Sequence, residues 1–149
     1  MVKHEIFFAS AALCILLLFA GCGSNNPEQK TAAGNAKVTR TLPVTVNAGE
    51  NITVSLTMTV NGSLSAIGLE EDYPAGWNVS NIPLHGVLKD NPDRIEWLFW
   101  PLGEPITNRT FNYTITAPAA YSGTAAFSGK VITKGTNAIE GDTSVKVVN

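Results

Sequence analysis

Residues 51–60 read Asn-Ile-Thr-Val-Ser-Leu-Thr-Met-Thr-Val, apolar at every even position and Asn, Ser or Thr at every odd one. Successive side chains of an extended chain point to opposite faces, so this stretch fits a strand with one face on a core and the other in water. The same rhythm runs through Thr110-Phe111-Asn112-Tyr113-Thr114-Ile115-Thr116-Ala117. Further strands are expected at Val38–Leu42, Leu64–Glu71, Trp77–Ile82, Arg94–Trp100, Thr124–Thr133 and Thr143–Val148, with glycine and proline clustered between them. Asn61-Gly62 predicts a two-residue hairpin turn, since both positions of such a turn need positive φ. The strand from Leu64 should then return antiparallel to the first. No 12-residue stretch shows helical spacing, and the pattern predicts an all-β antiparallel sandwich of seven to eight strands.

Ahead of this block the chain follows a different logic. Residues 6–20 carry no charge, Lys3 precedes them, and Gly21-Cys22 follows. A basic start, a short apolar run and small residues at a cut form an export signal. As a helix the run would span roughly 22 Å, short of the ~30 Å hydrocarbon core, so a membrane-spanning anchor fits less well. The ending Leu18-Phe19-Ala20-Gly21-Cys22 resembles the lipobox of prokaryotic lipoproteins, although Phe19 stands where leucine is usual. That resemblance implies cleavage before Cys22, acylation of its thiol and capping of the new amino terminus. Several acyl chains anchor a protein stably where one does so only marginally. Residues 1–21 are thus expected to be a signal peptide, with the membrane a partner through acylated Cys22.

Cleavage would leave 128 residues (149 − 21) with nine Lys and Arg, eleven Asp and Glu, and a net charge of −2. The signs are interspersed, which gives no reason to expect nucleic acid as a partner. Cys14 would leave with the signal, so no disulfide or cysteine-based metal site is expected. Residues 23–37 are small or polar and cannot bury enough surface to order themselves; with Cys22 they read as a flexible linker over 22–37. Residues 38–149 are then one domain of ordinary size.

Four segments of that domain carry a family resemblance. They are residues 68–77 (Gly-Leu-Glu-Glu-Asp-Tyr-Pro-Ala-Gly-Trp), Ile95-Glu96-Trp97, residues 111–118, and residues 123–129. In this order they resemble immunoglobulin-like repeats of prokaryotic cell-surface proteins. The resemblance implies an immunoglobulin-like β-sandwich with a structural or adhesive role and supplies no catalytic residues.

Catalysis has little to work with. His85 is the only imidazole after the cut, and no nucleophile elbow, zinc-protease or phosphate-loop motif is present. Glu70, Glu71 and Asp72 with Glu96 or Glu104 could supply the carboxylate pair of a glycoside hydrolase. Glu70 and Glu71 are adjacent, however, and so point to opposite faces; a solvated strand end explains them more simply. No cofactor is expected, with calcium on Asp90, Asn91 and Asp93 as the alternative, since three oxygen-bearing side chains fall within four residues there. Asn-Pro-Asp is equally ordinary turn chemistry. In residues 95–100, Ile95, Trp97 and Phe99 would fill the core and Trp77 would join them. Leu98 and Trp100 would then share the opposite face, with Leu102 in the same parity; they would either lie under a loop or the C-terminal strand or, left exposed, form a contact surface.

Five Asn-x-Ser/Thr triplets begin at Asn51, Asn61, Asn78, Asn108 and Asn112. The sequence as a whole predicts a lipid-anchored, extracytoplasmic, non-catalytic module that binds an envelope protein or glycan through a sheet face or end loops. A self-associating structural component of the envelope or surface layer is the alternative, and a carboxylate-dependent glycoside hydrolase a minor one.

Overall fold

The computed structural model describes residues 34–149. Along them run thirteen strands: β1 (Asn35–Thr41), β2 (Thr45–Asn47), β3 (Asn51–Asn61), β4 (Ile67–Asp72), β5 (Asn78–Ser80), β6 (Val87–Asp90), β7 (Asp93–Phe99), β8 (Arg109–Thr116), β9 (Gly123–Ala126), β10 (Ser128–Ile132), β11 (Thr136–Ala138), β12 (Glu140–Gly141) and β13 (Ser144–Val148). They form a first sheet ordered β12-β1-β3-β8-β5, a second ordered β11-β10-β4-β7-β6, and a short third ordered β2-β13-β9. Pairing is antiparallel except for β1 with β12 and β2 with β13. The fold is an immunoglobulin-like β-sandwich, and its strand count exceeds seven to eight because short edge and corner strands join the long ones.

Alternation decides what lies inside. Val38, Val54, Leu56, Met58 and Ile115 of the first sheet and Ile67, Leu69, Ile95, Phe99 and Val131 of the second are fully buried. Each such side chain stabilises the fold by about 1.5–3 kcal/mol relative to exposure. Trp97 packs edge-on to Phe111 at 5.4 Å, and Trp77 sits edge-on to both Tyr121 and Phe127. The stretch expected as one strand over 124–133 divides at Phe127, passing from the third sheet to the second. Ala125, Phe127 and Val131 all stay inside across the break, so the parity survives the change of sheet.

The sequence expectations need three corrections. β3 and β4 are not a hairpin. β3 pairs with β1 along one edge and with β8 along the other, opposing Leu56 to Phe111 and Val54 to Tyr113, while β4 lies in the second sheet. With both edges of β3 taken, Asn61-Gly62 becomes a crossover. Gly62 takes φ 76° but Asn61 has no positive φ, so the two-residue turn does not form. The first strand also begins at Asn35, taking in three residues that composition assigned to the linker; buried Ala36 extends the inward alternation of Val38.

The third correction concerns Glu71, which is no solvated strand end. It points inward from β4 and is fully buried, as is Arg40 of β1 in the facing sheet. Arg40 Nε donates to Glu71 Oε1 and Nη2 to Oε2, each at 2.7 Å. The guanidinium also donates to the backbone carbonyls of Asp142 and Ser128, both at 2.9 Å. Tyr113 of β8 donates its hydroxyl to Glu71 Oε1 at 3.0 Å. Desolvation raises the Glu71 carboxyl, with the Arg40 and Tyr113 hydrogen bonds opposing it. Burial and the neighbouring carboxylate push the Tyr113 phenol well above its ordinary value. A buried charge stands only when paired and hydrogen-bonded, and here every guanidinium nitrogen and both carboxylate oxygens have a partner.

Candidate functional site

The outer face of the second sheet carries rows set by its register. Ile132, Gly68 and Leu98 stand side by side across β10, β4 and β7. The next row holds Lys130, Glu70, Glu96 and Val87, reaching β6. Glycine at 68 leaves a trough between Ile132 and Leu98, the kind of strand position where another molecule can approach the backbone. The trough opens into a groove of about 780 Å³ whose walls include Trp100, His85 and Glu104. That volume is within the range of small-ligand sites.

Two loops build the walls. After β7 the chain turns back through Trp100–Glu104: Gly103 N donates to Trp100 O, and Trp100 N donates to Glu104 O, both at 3.0 Å. A Cβ on Gly103 would collide with the Trp100 ring, so the indole lies directly on that glycine backbone. Opposite, residues 83–86 form a tight turn in which Gly86 N donates to Pro83 O at 3.1 Å. Leu84 and His85 occupy its centre at φ 55° and 54°. These are the angles that Asn-Gly usually supplies, and non-glycine residues hold them at an energetic cost. The turn is pinned from below, since Trp97 Nε1 donates to Pro83 O at 2.9 Å and a Cβ on Gly86 would collide with the same indole. Leu84 packs on the core while the exposed His85 ring reaches Glu104, Nδ1 to Oε1 at 3.0 Å.

The carboxylates in and around the groove are matched by cations. Glu70 meets Arg94 at 2.7 Å and Lys130 at 4.0 Å, Glu96 meets Lys89 at 3.6 Å, and Glu104 meets Arg109 at 3.3 Å. The surface is therefore rich in hydrogen-bonding groups without a strong excess of one charge.

The residues singled out from sequence fall as follows. Leu98 is 56% exposed and Trp100 41% exposed, and both line the groove; Leu102 is 96% exposed at the tip of the same loop and does not line it. Glu70 and Glu96 face each other across β4 and β7, Glu104 closes one wall, and Asp72 pairs with Arg94 at 2.6 Å. Glu71 is on the opposite side of the sheet, inside the core. Asp90, Asn91 and Asp93 make the β6–β7 hairpin turn, with Asp90 opposite Asp93. Among the described residues, no group of three or more His, Cys, Asp or Glu side chains could hold a metal ion. The signal peptide, Cys22 and nearly all of the linker lie outside the described residues. Sequence reasoning missed Gly68, Gly103 and the turn at Leu84-His85. A lone glycine inside a strand pattern was the available signal for the first; nothing local marks the others.

No family model matches the sequence. Over 113 residues, 74% of the chain, it is 35% identical to an uncharacterized protein of Archaeoglobus fulgidus, and it covers 64% of that protein's length. Among solved structures it is similar to a cohesin module from a family 33 glycoside hydrolase of Clostridium perfringens (18% identity, TM-score 0.48, covering 75% of this chain and 96% of that one). It is also similar to a CARDB domain from Pyrococcus furiosus (11% identity, TM-score 0.43, covering 78% and 96%).

Proposed function

We propose that the chain is a non-catalytic binding module of the cell envelope, tethered through acylated Cys22, that takes a neutral glycan or an uncharged protein segment in the groove on its second sheet. The observation that carries this reading is Trp100, held over Gly103 at the edge of a trough floored by Gly68. A half-exposed indole beside apolar Leu98 and Ile132 offers a face for an apolar surface, and the flanking groups offer hydrogen bonds. Charge matching around the groove favours an uncharged ligand over an ionic one.

Retention of the purified protein on a glycan array and on envelope extracts tests the reading. Gly68→Val fills the trough at a tolerable distance from Ile132, and Trp100→Ala removes the platform; both should abolish retention with little change in thermal stability. Retention unchanged in both variants would refute the groove. Hydrolysis of a retained glycan, lost in Glu70→Gln or Glu96→Gln, would overturn the non-catalytic reading. Labelling with a radioactive fatty acid, with and without Cys22→Ala, tests the tether.

A self-associating role draws on one observation, the edge strand β6 with Val87 and Leu88 exposed. Its Lys89 and Asp90 are the charges that commonly guard such an edge. Sedimentation that shifts with concentration, and stops shifting in Leu88→Lys, would favour that role.

A further inference from the structure

The first sheet has an outer face unlike the second. Outward positions on β1, β3, β8 and β5 are all Ser, Thr or Asn except Lys37. Its rows read Thr41-Ser55-Asn112, Thr39-Thr57-Thr110, and Asn51-Thr116-Asn78 across neighbouring strands. All five Asn-x-Ser/Thr triplets of the sequence lie on this face or at its rim. None occurs on the outer face of the second sheet, where Lys130, Glu70, Glu96, Asp72 and Arg94 flank the apolar row of Ile132 and Leu98.

Strand geometry accounts for how the triplets are displayed. Residues i and i+2 share a side, so Asn51 with Thr53, Asn78 with Ser80 and Asn112 with Thr114 each present amide and hydroxyl together, with Ile52, Val79 and Tyr113 turned inward. Asn61 stands at the crossover beside Gly62. Among the described residues, Asn61, Asn78 and Asn112 are exposed with no side-chain hydrogen bond, whereas Asn51 accepts from Thr116 and Asn108 accepts the Val60 N–H at 2.6 Å. Alternation alone explains polar residues here; it does not explain why charge is confined to the Lys37–Glu140 pair at one edge and every triplet lies on or beside one sheet.

We infer that this face is a site of N-linked glycosylation, centred on Asn61, Asn78 and Asn112. The donor is a lipid-linked oligosaccharide, delivered by an oligosaccharyltransferase of the envelope. The side-chain amide nitrogen forms a bond to the anomeric carbon, and the bond from that carbon to the lipid phosphate oxygen breaks. The phosphate leaves with the electron pair and the amide gives up one proton. Glycans on this face would leave the groove on the other sheet open. The inference rests on the export that the proposed function assumes, but not on the groove.

Mass spectrometry of the native protein from its own cells is the test. Peptides carrying Asn61, Asn78 or Asn112 should show hexose-type mass increments that vanish in the corresponding Asn→Gln variants. Thr114→Ala should erase the increment at Asn112 and Thr114→Ser should keep it, a pattern that loss of folding would not give. An exported, Cys22-acylated protein with unmodified mass at all five asparagines would overturn the inference and leave the binding module standing. Sugars found on Ser or Thr alone would overturn it equally. Protein confined to the cytoplasm would overturn both readings.

Discussion

Changing Glu71 to glutamine should destabilise the domain far more than its near-identical shape suggests. The carboxylate takes two guanidinium hydrogen bonds from Arg40 and one from Tyr113, all out of water. Glutamine offers one carbonyl, and its NH2 group would face an Arg40 donor. The guanidinium would keep the Asp142 and Ser128 carbonyls but lose its counter-charge. Breaking such a pair from one side costs about 3–5 kcal/mol. For a domain of this size each kcal/mol moves the melting temperature by roughly 4 °C, so the midpoint should fall by about 12–20 °C. The double variant Arg40→Met with Glu71→Leu removes both charges. Removing the pair together often stabilises by about 1–4 kcal/mol, against about 1 kcal/mol for each hydrogen bond lost by Tyr113, Asp142 and Ser128. The double variant should therefore lie close to wild type. Urea and thermal unfolding followed by circular dichroism measure both. A loss below about 1 kcal/mol for Glu71→Gln, or a double variant as weak as the single, would refute the view that the pair's strength lies in mutual compensation.

The other expectations are more local. Tyr113 keeps its proton to higher pH in the folded state than in the unfolded chain, so its contribution is intact below the unfolded value near 10 and falls as pH rises above it, by about 1.4 kcal/mol per pH unit; alkaline titration of stability should show a limb that becomes shallower in Tyr113→Phe. His85→Gly relieves a positive φ at an exposed position and should raise stability by about 0.5–1 kcal/mol, against the usual cost of glycine, read as a higher urea midpoint. Gly103→Ala should push the Trp100 ring off its support and weaken groove binding about tenfold or more by titration, with the melting temperature nearly unmoved.

The long strands were legible because their alternation is uninterrupted. β3 and β8 follow the sequence pattern to within a residue, and Trp97 and Phe99 are inside as parity requires. Partners were not legible. Asn61-Gly62 is a strong local turn signal, yet β1 and β8, the latter nearly fifty residues on, take both edges of β3, and no local pattern announces a partner that distant. Arg40 and Glu71 show a second limit. Each occupies an inward slot of its strand, but a charged residue at such a slot reads as a strand end until its opposite number in the facing sheet is known. Parity alone placed Leu98 and Trp100 on the outer side; the groove beside them depends on Gly68 and Gly103, whose meaning is the ring or side chain that crosses them.

The position of β1 has a mechanical side. It lies between β3 and β12, with hydrogen bonds on both edges, and the chain enters it at Asn35 end-on. Tension applied there along the strand loads every rung against β3 at once, in shear, instead of peeling them open in turn. The guanidinium near its far end ties the same strand across to the opposite layer. Under the proposed tether, a pull from Cys22 would therefore arrive at a strand held on both edges, where many hydrogen bonds must yield together.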